Sequence, residues 1–436
     1  MYTLALMHGK VYINQAWVHT NIYIQDEKIV EISSEVFPAL EAIDLRGLEI
    51  LPGIIDPHVH FELDLGWIKS VDNFYSGSVA GIFGGITSYV DFLEPVDTVE
   101  GLEKAFLSRM SLAKKSVSDY HFHATIKNPK CNLEDFVIKM KSLGMHTLKL
   151  FTTYSESNRR TDDQHIIELL KLSRKHHFLI MAHIENDDLI KIDQTYTYRE
   201  LPLSRQTIAE TSEALKLAKF VYDTMGNLYM VHLSSGHTLA GLIDQYKDLI
   251  NKKFFIESCP QYFTFTKDVL QTDKGYLYTF APPLRSLREK ELLFKHAEYI
   301  YTIGTDHCAF MEKDKKKRYL NDIPLGIGGI EHSLSIMRHH LGDQAIDKMT
   351  LHVAQTQGLR KKGKIEIGYD ADFAIFRPMP NEKMYGNHGT CDYSVYEGLH
   401  GSGKVVSTII RGKFVLKNGE LLGGEGQWIE GSDFNV

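Results

Sequence analysis

The run Ile50-Leu51-Pro52-Gly53-Ile54-Ile55-Asp56-Pro57-His58-Val59-His60 constrains this chain more than any other stretch. Its first half is apolar and punctuated by Pro and Gly, the pattern of a short strand buried on both faces. It ends in two histidines one residue apart. Side chains at i and i+2 of a strand leave the same face, so both imidazoles enter one space at the strand's carboxyl end. That is a metal-site geometry. An isolated His-x-His is more often incidental, however, so its meaning depends on what the other apolar runs carry.

Between residues 51 and 355, apolar strand-like runs alternate with helical stretches such as Gln164–His176 and Ser204–Tyr222, the sequence form of a parallel α/β architecture. The runs number eight: 50–57, Thr87–Phe92, Tyr120–Ile126, Thr147–Phe151, Phe178–His183, Leu228–Leu233, Phe254–Glu257 and Tyr299–Thr305. Eight such units predict a closed (β/α)8 barrel, whose active site collects at the carboxyl ends of the strands. An open doubly wound sheet is the competing fold, but no Gly-rich phosphate fingerprint follows an early strand. Residues 1–50 alternate polar and apolar with Gly and Asn breaks. The pattern returns in Asp372–Phe376 and Val405–Leu416. Chain ends commonly lie close together, so residues 1–50 and 360–436 are expected to build one small β domain beside a catalytic barrel of residues 51–359. The charged run Glu312-Lys313-Asp314-Lys315-Lys316-Lys317-Arg318 reads as a solvated loop.

Composition removes several function classes. A net charge of -7 without a basic stripe argues against nucleic acid as a partner. No run approaches the roughly 18 to 20 apolar residues of a membrane span. Cys131, Cys259, Cys308 and Cys391 lie far apart with no C-x-x-C spacing, which fits reduced thiols in a cytoplasm. The first residues show no basic region or small-residue cleavage site, so export is not expected.

Ligand-type residues fall where a barrel would place them. His58 and His60 end the first strand, Lys149 lies in the fourth, His183 ends the fifth, His232 lies in the sixth and Asp306 follows the eighth. Neutral imidazoles with a carboxylate suit zinc or a similar divalent ion. Four histidines and one aspartate are few for two ions unless another anionic oxygen bridges them. Lys149 can become that anion: burial lowers a lysine's pKa, and a neutral amine takes up carbon dioxide as a carbamate. On chemistry alone, a lysine paired to a buried carboxylate is an equal reading. His121 and His123 in the third strand are read as structural.

In order along the chain stand Pro52–His60, Gly84-Gly85-Ile86-Thr87 with Asp91-Phe92, Lys149–Tyr154, Ala182–Asn186, Val231–Ser235, Glu257–Tyr262, Pro282–Arg285, Gly304–His307 and Gly363–Asp372. This series resembles the amidohydrolase superfamily and, within it, the D-hydantoinase/dihydropyrimidinase branch. The resemblance implies a TIM-like barrel with a β-sandwich from both termini. It implies two divalent ions, zinc first among candidates. His58, His60, carbamylated Lys149 and Asp306 would hold one, and Lys149, His183 and His232 the other, with an activated water between them. Asp306 would act as general base and Tyr154 would donate to the developing oxyanion.

The expected substrate is a small cyclic amide such as a hydantoin or dihydropyrimidine, and the expected assembly a homodimer or homotetramer. Main-chain groups at Ala281 and Leu325 would bind the ring, where the branch commonly has Ser and Asn. Dihydroorotases carry an arginine two residues after His-x-His. Here Glu62 stands there and is expected to repel a carboxylate-bearing ring. The alternatives are a dihydroorotase, an allantoinase or a non-catalytic dihydropyrimidinase-related scaffold.

Overall fold

A computed structural model describes residues 1–435. Eight parallel strands form one sheet: Ile54–Val59, Ile86–Phe92, Asp119–Thr125, Thr147–Phe151, Leu179–His183, Leu228–Met230, Phe254–Ser258 and Thr302–Ile303. They are ordered by sequence, each beside the next. The ring nearly closes between its ends, where Val59 bridges His307 and the His60 N–H donates to the His307 carbonyl at 2.8 Å. Every residue of the first three strands is buried, polar ones such as Asp56, Asp91, His121 and His123 included, as expected of a parallel sheet covered on both faces.

A second, nine-stranded mixed sheet is built from both ends of the chain. Strands Tyr2–Ile13, Ala16–Gln25 and Lys28–Ser33 form a meander. Its two-residue turns, Asn14-Gln15 and Asp26-Glu27, have positive φ at both positions, the type I′ geometry that matches strand twist. Strand Phe373–Lys383 joins antiparallel to Glu49–Pro52. Leu4, Leu6, Ile22, Ile24, Ile50, Phe373, Ile375 and Ile409 pack together as this sheet's own core.

The run at 50–57 is therefore not one strand. It divides at Gly53, with Glu49–Pro52 in the outer sheet and Ile54–Val59 in the barrel. Glycine is required there: a Cβ would fall 2.2 Å from the Thr87 hydroxyl and 2.8 Å from the Asp372 Cβ. The eighth run is likewise shorter than its apolar pattern, because Ala297–Tyr299 forms a 3-10 turn. The charged run at 312–318 is not wholly solvated either. Glu312–Lys315 is one helical turn, and Lys315 is buried.

An ionic cluster joins the barrel to the outer sheet. Buried Lys362 reaches Asp119 at 2.8 Å, Asp370 at 3.0 Å and Asp372 at 2.6 Å, and the Arg411 guanidinium also contacts Asp119. Burial alone would push the Lys362 ammonium down, but the three carboxylates hold it well above its usual range. Lys362→Met is expected to destabilise the fold by about 3–5 kcal/mol, because it strands buried carboxylates without their cation. Denaturant midpoints for the two proteins check this, and coincident curves would refute it.

The last residues return to the barrel. Tyr120 and Ile429 are hydrogen-bonded, and Phe434 packs against Leu179, Met181, Tyr229 and Phe255 near the amino-terminal ends of the strands. No helix among the described residues is long and apolar enough to cross a membrane.

Candidate active site

At the opposite, carboxyl-terminal end the strands open into a cavity of about 390 Å³. Among the residues lining it are His58, His60, Lys149, Tyr154, His183, His232, Ala281, Asp306 and Leu325, the metal-ligand, catalytic and ring-binding positions expected from the sequence. The expected strand alternation brings the first two histidines together: His58 Nε2 lies 3.2 Å from His60 Nε2. Asp306 Oδ1 lies 3.1 Å from His58 Nε2 and 3.2 Å from His60 Nε2. The ligand atoms of these three residues all fall within 4.8 Å of one another. His232 is not inside its strand, which ends at Met230. It follows in the left-handed region at φ 41°, as do Asp306 at 52° and Tyr154 at 69°. Non-glycine residues hold such angles only where their surroundings impose them, at about 1–3 kcal/mol each. Here the angles bring the three side chains into the cavity.

The second group stands beside the first. The His183 and His232 rings are 4.6 Å apart between centroids, and His232 lies 5.5 Å from His58. The Lys149 Nζ sits 5.2 Å from the Phe92 ring and 5.4 Å from the Phe151 ring. The carboxylates nearest to it have other partners, Asp306 with His58 and His60, and Glu257 with His58 and Tyr229. The reading of Lys149 as one half of a buried ion pair therefore finds no support in this geometry. Burial lowers its pKa to about 8 against the upward pull of Asp306 and Glu257.

Several orienting groups gave no usable signal in the sequence. His58 Nδ1 donates to Glu257 Oε1 at 2.8 Å, and His183 Nε2 to Glu185 Oε2 at 2.7 Å. Each bond keeps a proton on that nitrogen, so that Nε2 of His58 and Nδ1 of His183 are the atoms left to serve as metal ligands once the rings are neutral. Glu257 also accepts from the His232 backbone N–H at 2.9 Å. The buried Asp56 carboxylate takes the Thr305 N–H at 3.1 Å, the Thr305 hydroxyl at 2.6 Å and the His58 N–H at 3.1 Å, tying the first barrel strand to the loop that carries Asp306. Arg205 pairs with Glu185, and its guanidinium lies 4.9 Å from the Tyr154 ring centre. Burial pushes the Tyr154 phenol up to about 12 against the opposing charge of Arg205, so the phenol keeps its proton at neutral pH. Ring nitrogens of His121 and His123 are engaged with the Ile429 carbonyl and with Thr147 and the Pro57 carbonyl.

Glu62 lies outside the cavity lining, and its backbone N–H donates to the Asp72 carbonyl. The repulsion of an acidic ring expected from Glu62 therefore does not operate at this wall. Arg159 and Arg205 line the cavity, as does Glu156, and of the two arginines Arg205 is paired with Glu185.

A divalent cation fits this donor set. Burial lowers the His58 pKa, yet Glu257 and Asp306 together raise it to about 9, so this cluster of acceptors draws positive charge. Buried Nδ1 atoms of His60 and His232 have no protein partner.

Residues 50–415 match the model of the amidohydrolase family. This chain belongs to that family. It is 29% identical to the D-hydantoinase of Geobacillus stearothermophilus, with 100% of this chain and 98% of the relative aligned. It is 27% identical to the D-phenylhydantoinase of Escherichia coli over 98% of each. Among solved structures, dihydropyrimidinase from Brevibacillus agri superposes with a TM-score of 0.94 at 27% identity, covering 100% of both chains. Within the family, the chain therefore sits in the D-hydantoinase/dihydropyrimidinase branch.

Proposed function

We infer that the protein is a cyclic amidohydrolase, a hydrolase of non-peptide C–N bonds that opens a hydantoin, dihydropyrimidine or related ureide ring. The observation that carries this reading is the convergence of His58, His60, Lys149, His183, His232, Asp306 and Tyr154 in the lining of one cavity.

His58, His60 and Asp306 would hold one divalent ion and His183 with His232 a second, with Lys149 between them as its carbamate. Zinc suits these nitrogen and oxygen donors best. Two such ions supply Lewis acidity toward the ring carbonyl and lower the pKa of the attacking water. With a pKa near 8, Lys149 has a share of neutral amine at physiological pH, the form that adds to carbon dioxide and releases a proton. Asp306 takes the proton of the attacking water on a carboxylate oxygen and delivers it to the departing ring nitrogen. Tyr154 donates a hydrogen bond from its hydroxyl to the carbonyl oxygen as charge develops there, and keeps its proton. Main-chain groups at Ala281 and Leu325 would hold the ring's own N–H and C=O. The product is the ring-opened N-carbamoyl acid. A homodimer or homotetramer in the cytoplasm is the setting proposed, and the four free cysteines fit a reducing compartment.

An acidic ring is the second reading. What favours it is Arg159, half-buried in the cavity wall and in no ion pair among the described residues, where a substrate carboxylate could meet it. A panel of dihydrouracil, 5-phenylhydantoin, dihydroorotate and allantoin, run on zinc-loaded and chelator-treated protein with metal analysis, separates these outcomes. Turnover of the first two, lost with the metal, is expected. Turnover of dihydroorotate alone would replace the first reading with the second, and no turnover of any ring by loaded protein would sink both.

A further inference from the structure

We propose that Lys315 positions the main chain of the ring-binding wall, so that its loss weakens binding of the cyclic substrate more than it slows the chemistry. The proposal rests on reading Ala281 and Leu325 as ring-binding positions.

Lys315 ends the helical turn Glu312–Lys315 and is 0% exposed. Its Nζ donates to the carbonyls of Thr279 at 2.7 Å, Pro324 at 3.2 Å and Gly326 at 2.5 Å. An ammonium has three N–H donors, and each meets a different main-chain oxygen. Two of those oxygens belong to the residues on either side of Leu325, and the third lies two residues before Ala281. The Thr279 carbonyl also accepts the Gly326 N–H at 3.0 Å, so the two wall segments share one direct bond and one cation. Ala281, Leu325 and Gly326 line the cavity, whereas Lys315 does not. It acts through the backbone it holds and is a positioning residue.

A buried lysine usually pairs with a carboxylate, and this one has none among the described residues. The groups that face it are the three carbonyls and the thiols of Cys308 and Cys391. Burial draws its pKa down from the usual lysine range, and the three accepting carbonyls oppose that pull by favouring the ammonium. Three carbonyl dipoles aimed at one point repel one another without a positive centre, so an apolar replacement drives them apart. Leu325, fixed on both sides by held carbonyls, moves with them. The close approach of the same segment to Cys308 leaves it little alternative: a Cβ on Gly326 would lie 2.5 Å from the Cys308 carbonyl oxygen.

The test is steady-state kinetics of metal-loaded Lys315→Met on whichever ring the wild type opens, with metal content and thermal midpoint measured alongside. The expected result is a KM raised about tenfold or more with kcat within about threefold, as loss of a hydrogen-bonded ground-state contact predicts. Metal content should equal that of the wild type. Lys315→Gln, which keeps two N–H donors, should recover part of the lost affinity. If Lys315→Met does not fold, the Gln variant carries the test by the same KM criterion. An unchanged KM, a loss confined to kcat, or a loss that follows reduced metal content overturns the proposal. Failure of the wild type to open any ring would instead strike the reading of the site itself.

Discussion

Lys149→Ala is expected to lower kcat/KM for ring opening by about 10³-fold or more, the scale on which removing one member of a catalytic unit is felt. The variant should also bind markedly less metal. The argument begins with where the side chain is. Lys149 lies inside the fourth barrel strand with its Nζ between the Phe92 and Phe151 rings, and it is only 2% exposed. A charged lysine in such a place needs an anion, yet the neighbouring carboxylates pair with histidines. The proposed carbamylation would resolve the mismatch by replacing an unpaired buried cation with an anion that two metal ions would neutralise. Short carboxylic acids should restore part of the activity of Lys149→Ala, because they can occupy the space of the proposed carbamate with the same oxygen donors. Elemental analysis of the purified variant is the check. Wild-type metal content would show that Lys149 has no part in holding the ions, whatever happens to the rate.

The barrel is legible in the sequence because short strand-like runs rich in apolar residues alternate with helical stretches, and Thr147–Phe151 occupies its predicted place without adjustment. His58 and His60 were legible for a related reason: the period of two along a strand specifies a shared face without knowledge of any neighbour. Geometry set by distant partners was not. Glu257 orients His58 across 199 residues, a pairing that no local pattern encodes. The break at Gly53 was hidden because a run buried in two successive sheets looks like one strand, and only the approach of Thr87 and Asp372 reveals the turn. The parallel pairing of the largely exposed Ala39–Asp44 with Tyr2–Ile13 was equally invisible, since periodicity identifies a strand but not its partner. Lys315 shows the limit most plainly. In sequence it is one charge among many in a polar run. Its burial depends on three carbonyls contributed by segments before and after it.

Tyr154→Phe is expected to lower kcat by about 10²-fold or more, the usual cost of removing one oxyanion donor, with a smaller effect on KM. The substitution preserves ring, volume and packing, so it isolates the hydroxyl. Tyr154 lies 5.1 Å from the His183 ring between centroids, beneath the Arg205 guanidinium, and its left-handed backbone is pinned by hydrogen bonds from the Ser157 and Arg159 N–H groups to its carbonyl. That loop holds the backbone of Tyr154 in place, and if its phenol is the proposed donor, it would need little reorganisation as charge builds on the carbonyl oxygen. The raised pKa serves the same end, because a phenol that stays protonated across the neutral range remains a donor throughout it. The effect should therefore appear as a near-constant fall in kcat between about pH 6 and 9, well below the phenol's own titration. Kinetics of the two proteins across that range decide it: an unaltered kcat would reduce Tyr154 to a packing residue beside His183, and a change confined to KM would move it from the reacting carbonyl to the binding of the ring.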